Sequence, residues 1–249
     1  MGESRAQDDR LQEDAAAVMP LLQHLTELRE RVIKIVIGLT IGVVIGTFLA
    51  PPVLRVLISP LGDDVPQALS PTEAPAVFFK IAAIIGIVLA MPVIVYQAFQ
   101  FVRPGLEPHE RRYILLGVPA ASFSFALGVI FAAKVLIPAA IPFLQGFLRG
   151  IIKQQYSIDY YISFVGSVLL WSGLVFETPL IMYFLAKLGV VTAAGFAKVR
   201  RLVIIGAAVG AAVITPTTDP VNMLLVMGPF MLLYEVGILL AKIAQWKKE

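Results

Sequence analysis

Three carboxylates stand out by where they fall in the chain. Glu177, in Phe176-Glu177-Thr178-Pro179, lies inside an apolar run ten residues before Lys187. At about 1.5 Å per helical residue that is roughly 15 Å from the nearest cationic boundary, beyond the reach of a glutamate side chain. An ionised group at that depth costs from about 2.5 to well over 10 kcal/mol. Glu177 is therefore expected to be neutral and hydrogen-bonded, or to face a polar cavity. Pro179 frees the Val175 carbonyl beside it. Glu235, seven residues before Lys242, can reach a cation near the interface.

Glu27 lies in a different setting, His24-Leu25-Thr26-Glu27-Leu28-Arg29-Glu30-Arg31. Leu21, Leu25, Leu28 and Val32 recur at helical spacing, and Gln23, Glu27 and Glu30 share the opposite face. Two readings stand. Glu27–Arg31 and Glu30–Lys34 can be ordinary i,i+4 ion pairs, which spacing alone favours, or the acidic face is offered to a basic ligand. Glu110 occupies a segment marked by Pro104-Gly105 and Glu107-Pro108 as turns. Glu107 and Arg111 are spaced to pair, which leaves Glu110 less committed, and a solvated loop is the plainer reading.

The inventory excludes much else. There are no cysteines and two histidines, His24 and His109, so no thiolate or His-rich metal site is expected and no metal or other cofactor. Ser163, Ser167 and Ser172 have no histidine within the same apolar run to act as base, and no phosphate-binding loop occurs. The chain is expected not to be an enzyme. It is 58% hydrophobic and 15% charged with a net charge of +3, and its mean hydropathy is +0.85. Soluble domains are about 25% charged, so an integral membrane protein is indicated. Disorder and a nucleic-acid partner are not.

The elements that must position these acids are membrane spans. Runs of about 17–25 apolar residues cross a bilayer. Val32–Ala50, Ala76–Phe101, Tyr113–Ala133 and Tyr160–Ala186 qualify, ending at Pro51-Pro52, before Arg103, at Lys134 and at Lys187. Val221–Ala241 is a fifth run of that length. Leu202–Ile214 precedes it and is short, which makes six spans. Residues 1–18 are acidic and polar and predict a disordered tail, not a signal peptide. A membrane domain follows over 19–242 and a short basic tail over 243–249. With both ends inside, fifteen of the twenty Lys and Arg fall on the inner side and five on the outer, as the positive-inside rule requires. The outer loop over 134–159 carries an apolar stripe and is expected to form a short interfacial helix or cap. Gly38, Gly42 and Gly46, and again Gly206 and Gly210, are spaced for close helix packing.

Taken in order, these stretches resemble the TatC family, the large subunit of the twin-arginine protein translocase. The matching residues are His24-Leu25-Thr26-Glu27-Leu28-Arg29-x-Arg31, Ser70-Pro71-Thr72-Glu73 and Phe101-x2-Pro104-Gly105-Leu106-x3-Glu110-Arg111. Phe176-Glu177-x-Pro179, Thr215-Pro216 with Asp219, and Leu233-Tyr234-Glu235 complete the set. The resemblance covers residues 19 to about 242. It implies an all-α, concave, glove-like bundle of six helices with short fifth and sixth spans and cytoplasmic termini, in the inner membrane of a prokaryote. The implied function is a receptor for twin-arginine signal peptides that exports folded proteins on the protonmotive force. TatA-type and TatB-type single-span proteins are the implied partners, in a homo-oligomeric complex.

By the same resemblance Glu27 and Glu110 read the two arginines, with Arg29, Phe101, Pro104 and Leu106 shaping that site. A guanidinium meets a carboxylate bidentately in a way lysine cannot copy. Glu177, Thr215 and Asp219 are implied in intramembrane polar or partner contacts, and Pro71 and Glu73 in ordering an outer cap. Many members follow Thr-Pro-Pro-Asp with Ser-Gln, whereas this chain has Thr217-Thr218-Asp219 followed by Asn222-Met223. The alternative class is a proton-coupled small-molecule transporter using Glu177, which needs a solvated path and usually internal repeats. The sequence carries no repeat of that kind.

Overall fold

A computed structural model of the chain describes residues 2–62, 66–102, 112–146, 151, 155–214 and 220–246. Side chains are described from 25 onward within these, apart from 102, 112–115, 213–214, 220–222, 225 and 246. The described residues include seven α-helices: α1 (Gly2–Ile58), α2 (Glu73–Val102), α3 (Arg112–Phe131), α4 (Ile137–Gly146), α5 (Ile158–Lys187), α6 (Ala193–Ile214) and α7 (Pro220–Trp246). A π-helical turn, Ala132–Leu136, joins α3 to α4. Among the described residues, five stretches are long and apolar enough to cross a membrane: Leu25–Leu61, Glu73–Phe101, Leu116–Gly146, Ile158–Lys187 and Val226–Gln245.

Several boundaries differ from the sequence reading. The backbone of α1 is helical from Gly2, where a disordered tail over 1–18 is expected. That stretch holds four Ala, two Gln, two Glu and two Arg, all good helix formers. The first span also does not end at Pro51-Pro52, since α1 continues to Ile58. A helix can carry a proline when neighbouring groups take up the freed carbonyls. The third span passes Lys134 through the π turn into α4, and a single π turn inside a helix adds one residue without breaking it. The short fifth run lies in α6, a helix of 22 residues whose first half carries Lys198, Arg200 and Arg201. That basic half is why α6 is not among the five apolar stretches.

The helices pack in a connected bundle. α1 packs chiefly on α2, α2 also touches α3 and α5, α5 touches α3, α6 and α7, and α6 packs mainly on α7. Glycine sets the closest of these approaches. A Cβ built on Gly42 lies 2.6 Å from the Gly86 carbonyl oxygen, so α1 and α2 touch backbone to backbone. Gly128 and Gly173 do the same for α3 and α5, where a Cβ on Gly128 lies 2.5 Å from the Ser172 carbonyl oxygen. Gly206 and Gly210 have nothing within 4 Å of a built Cβ, so among the described residues that ladder packs against no other helix.

One end of the bundle is capped by short pairings between distant loops. Gln67 donates its N–H to the Tyr156 carbonyl (3.0 Å) and accepts from Ile158 N–H (2.9 Å). The Tyr161 hydroxyl donates to the Leu57 carbonyl (2.6 Å), and Gln145 reaches the Leu61 carbonyl from α4 (3.4 Å). The expected cap over 134–159 is thus α4 and the Tyr156–Ile158 strand-like segment. Its apolar support is the largest core cluster, in which Leu57, Leu61, Val77, Ile81, Ile137 and Ile162 are all buried.

Candidate functional site

The end of the bundle opposite the cap is built from the start of the α1 span and the last turns of α2. α1 and α2 run antiparallel, with Gly46 against Ala82, Gly42 against Gly86 and Gly38 against Val93. Arg31 donates from Nη1 to Gln97 Oε1 at 3.5 Å further along the same pair. Carried one turn more, this register sets Glu27 level with Phe101. Two residues of the expected signal-peptide site are thereby brought to one level of the fold, although they are 74 positions apart in the chain.

Glu27 does form the intrahelical pair that spacing favours. Arg31 donates to Glu27 Oε1 from Nε at 3.1 Å and also from Nη2. The carboxylate side chain is 30% exposed and the guanidinium side chain 18%. Behind them Gln97 is buried at 8% exposure. Arg29 is exposed on the same helix and Phe101 is half-buried. Glu110, Pro104 and Leu106 lie outside the described residues, as do Thr215 and Asp219.

Glu177 is buried at 6% exposure within α5. Its carboxyl lies against the backbone of Phe125 in α3, and among the described residues its Oε1 has no hydrogen-bond partner. The adjacent Phe176 carbonyl accepts a 2.6 Å hydrogen bond from the Ser124 hydroxyl. A small apolar cleft lies beside this stretch, lined by Trp171, Ser172, Val175, Phe176, Val226 and Pro229 among others. Glu177 does not line it. An unpartnered buried carboxyl oxygen costs of the order of 1–3 kcal/mol, so the fold tolerates a penalty at this position.

Glu73 sits in the cap. Its Oε2 accepts from the Leu69 N–H at 3.1 Å and from the Ser157 hydroxyl at 3.1 Å. It thus holds the loop before α2 to the loop before α5. Pro71 is exposed in the turn that leads into α2.

Two polar contacts join partners that the sequence does not pair. Lys80 Nζ donates to Asp159 Oδ1 at 2.6 Å and to the Ser163 hydroxyl at 2.7 Å, tying α2 to α5. The signal was a lysine one turn inside an apolar span, which demands a partner, but no spacing rule identifies one 79 residues away. Arg200 grips Glu235 through Nε (2.6 Å) and Nη2 (2.9 Å). Glu235 therefore reaches a cation as expected, and the cation comes from α6. The Tyr234 hydroxyl adds a 2.8 Å bond to the Phe196 carbonyl. Among the described residues no group of three or more His, Cys, Asp or Glu is placed to hold a metal.

The chain is similar to known proteins over most of its length. Residues 23–229 match the family model described as Sec-independent protein translocase protein (TatC). A TatC of Aquifex aeolicus is 37% identical over 93% of this chain and 98% of its own. A TatC of Deinococcus radiodurans is 37% identical over 91% of this chain and 87% of its own. The chloroplast TATC of Pisum sativum is 35% identical over 91% of this chain and 65% of its own. The fold superposes on a crystal structure of a twin-arginine translocase receptor, TatC, with a TM-score of 0.80 at 36% identity, over 89% of this chain and 99% of that one.

Proposed function

Because the chain belongs to the TatC family and is a multi-pass inner-membrane subunit of the twin-arginine translocase, we propose that it is the receptor for twin-arginine signal peptides, with Glu27 and Glu110 as the groups that read the arginines. The observation that carries this reading is the state of Glu27. Its carboxylate, at the polar end of the first span, already grips a guanidinium through two nitrogens on one oxygen. A carboxylate placed that way suits the planar, multi-donor head of arginine better than the point charge of lysine. Phe101, level with Glu27, supplies an apolar wall, and Arg29, Pro104 and Leu106 complete the surroundings.

The end bearing Glu27 faces the cytoplasm, because the fifteen-to-five division of Lys and Arg favours that side. Single-span TatA-type and TatB-type proteins and further copies of this chain complete the machine, and the protonmotive force drives folded cargo outward. Glu177, Thr215 and Asp219 make polar contacts to partner helices, while Pro71 and Glu73 hold the outer cap. The test is crosslinking of a twin-arginine signal peptide to the membrane-embedded chain. Glu27→Ala and Glu110→Ala each weaken it, and the double variant abolishes it at unchanged protein abundance. Full crosslinking in the double variant removes the assignment.

A further inference from the structure

We propose that Arg31 is a built-in occupant of the Glu27 site, a guanidinium from the chain itself that a cargo arginine must displace. The inference rests on the receptor reading of Glu27 and adds a competitor to it. Three observations carry it. Arg31 meets Glu27 as a cargo arginine would, with two guanidinium nitrogens on Oε1. The third nitrogen, Nη1, is directed to Gln97 Oε1 at 3.5 Å, and Gln97 is buried at 8% exposure in α2. The guanidinium is therefore held from behind while Glu27, at 30% exposure, stays on the accessible side.

The chemistry makes the exchange easy. An incoming guanidinium replaces another on the same carboxylate, so no carboxylate is left bare. Arg31, once displaced, keeps the Gln97 carbonyl oxygen as an acceptor and lies one turn from Glu27, ready to return. A partly exposed i,i+4 ion pair is weak, so the occupant lowers apparent affinity without closing the site. The device sets a threshold. A peptide with two arginines can engage Glu27 and a second acid together and outcompete one internal guanidinium. A peptide offering an isolated basic residue competes one against one. Lysine, with no planar fork, loses further.

The experiment is binding of a fluorescent twin-arginine signal peptide to the full chain in nanodiscs, for Arg31→Gln, Glu27→Gln and the double variant. With the occupant removed, Arg31→Gln tightens the peptide by up to about fivefold, the range set by a pair of this strength. Tightening is larger for a peptide with a single arginine than for one with two. In the Glu27→Gln background, Arg31→Gln changes nothing. Weaker or unchanged binding in Arg31→Gln overturns the proposal, as does equal tightening with and without Glu27. Arg31→Lys, which keeps the charge and loses the fork, tightens binding less than Arg31→Gln and serves if that variant folds poorly. Glu27→Gln alone is the separate check on the receptor reading: if it leaves twin-arginine binding unchanged, that reading fails whatever Arg31 does.

Discussion

At the scale of single residues, the chain places a few polar groups where they are costly and satisfies most of them. Glu177 is the exception, with Oε1 unpartnered and the side chain 6% exposed. A neutral amide of the same shape keeps the hydrogen-bonding capacity that a hydrocarbon lacks. Glu177→Gln is expected to retain most export of a twin-arginine reporter, whereas Glu177→Leu loses it at normal abundance; equal export by the two removes the polar role. Glu73 shows the opposite case, a carboxylate whose Oε2 serves two donors. Removing it strands the Ser157 hydroxyl, on a residue that is buried at 7% exposure. Glu73→Ala is expected to lower stability by about 1–3 kcal/mol, read as a drop in melting temperature and faster proteolysis at the cap.

At the scale of elements, two glycine ladders with the same spacing have different surroundings. Gly42 lets α1 lie on the α2 backbone, while Gly206 on α6 meets nothing within 4 Å. The prediction is a contrast. Gly42→Val forces the two helices apart and costs about 1–3 kcal/mol, the usual scale for overpacking. Gly206→Val leaves the melting temperature of the purified chain unchanged. Equal effects overturn the backbone-contact explanation of the α1–α2 seam. The pair of α6 and α7 rests on a different device, the Arg200–Glu235 bridge, with side chains 45% and 47% exposed. Exposed pairs contribute little in water, so Glu235→Gln alone is expected to shift stability by under about 1 kcal/mol, checked by thermal melts in detergent.

At the scale of the whole molecule, α1 and α2 run antiparallel, and the Glu27 end and the cap lie at opposite ends of the bundle. The chain has no cysteine, which makes single introduced thiols clean reporters. Leu69→Cys, 72% exposed at the cap, is expected to react with an impermeant maleimide in intact cells. Val190→Cys, 67% exposed at the other end, is expected to react only after lysis. The reverse pattern overturns the orientation. The apolar part of α6 is also short, because Lys198, Arg200 and Arg201 occupy the first half of that helix. A short hydrophobic length favours a thin bilayer at modest cost per ångström. Thicker long-chain lipids are expected to lower the melting temperature relative to short-chain lipids.

What could be read without coordinates was whatever repeats locally or counts globally. Apolar run lengths set the number of spans, Lys and Arg placement set the expected orientation, and i,i+4 spacing set the Glu27–Arg31 pair. The ordered motifs identified the family. Helix ends were less legible. Pro51-Pro52 and Lys134 read as stops because proline and charge usually end a span, yet α1 runs to Ile58 and α3 continues through a π turn. Only the tertiary structure decided which distant residues meet. Gln97 behind Arg31, Asp159 on Lys80, Arg200 on Glu235 and Ser157 on Glu73 all join residues 35 or more positions apart. Nothing local encodes such partners, because they depend on the register at which one helix backbone lies against another. In α1 and α2 that register comes from glycine, where the absence of a side chain lets the backbones touch.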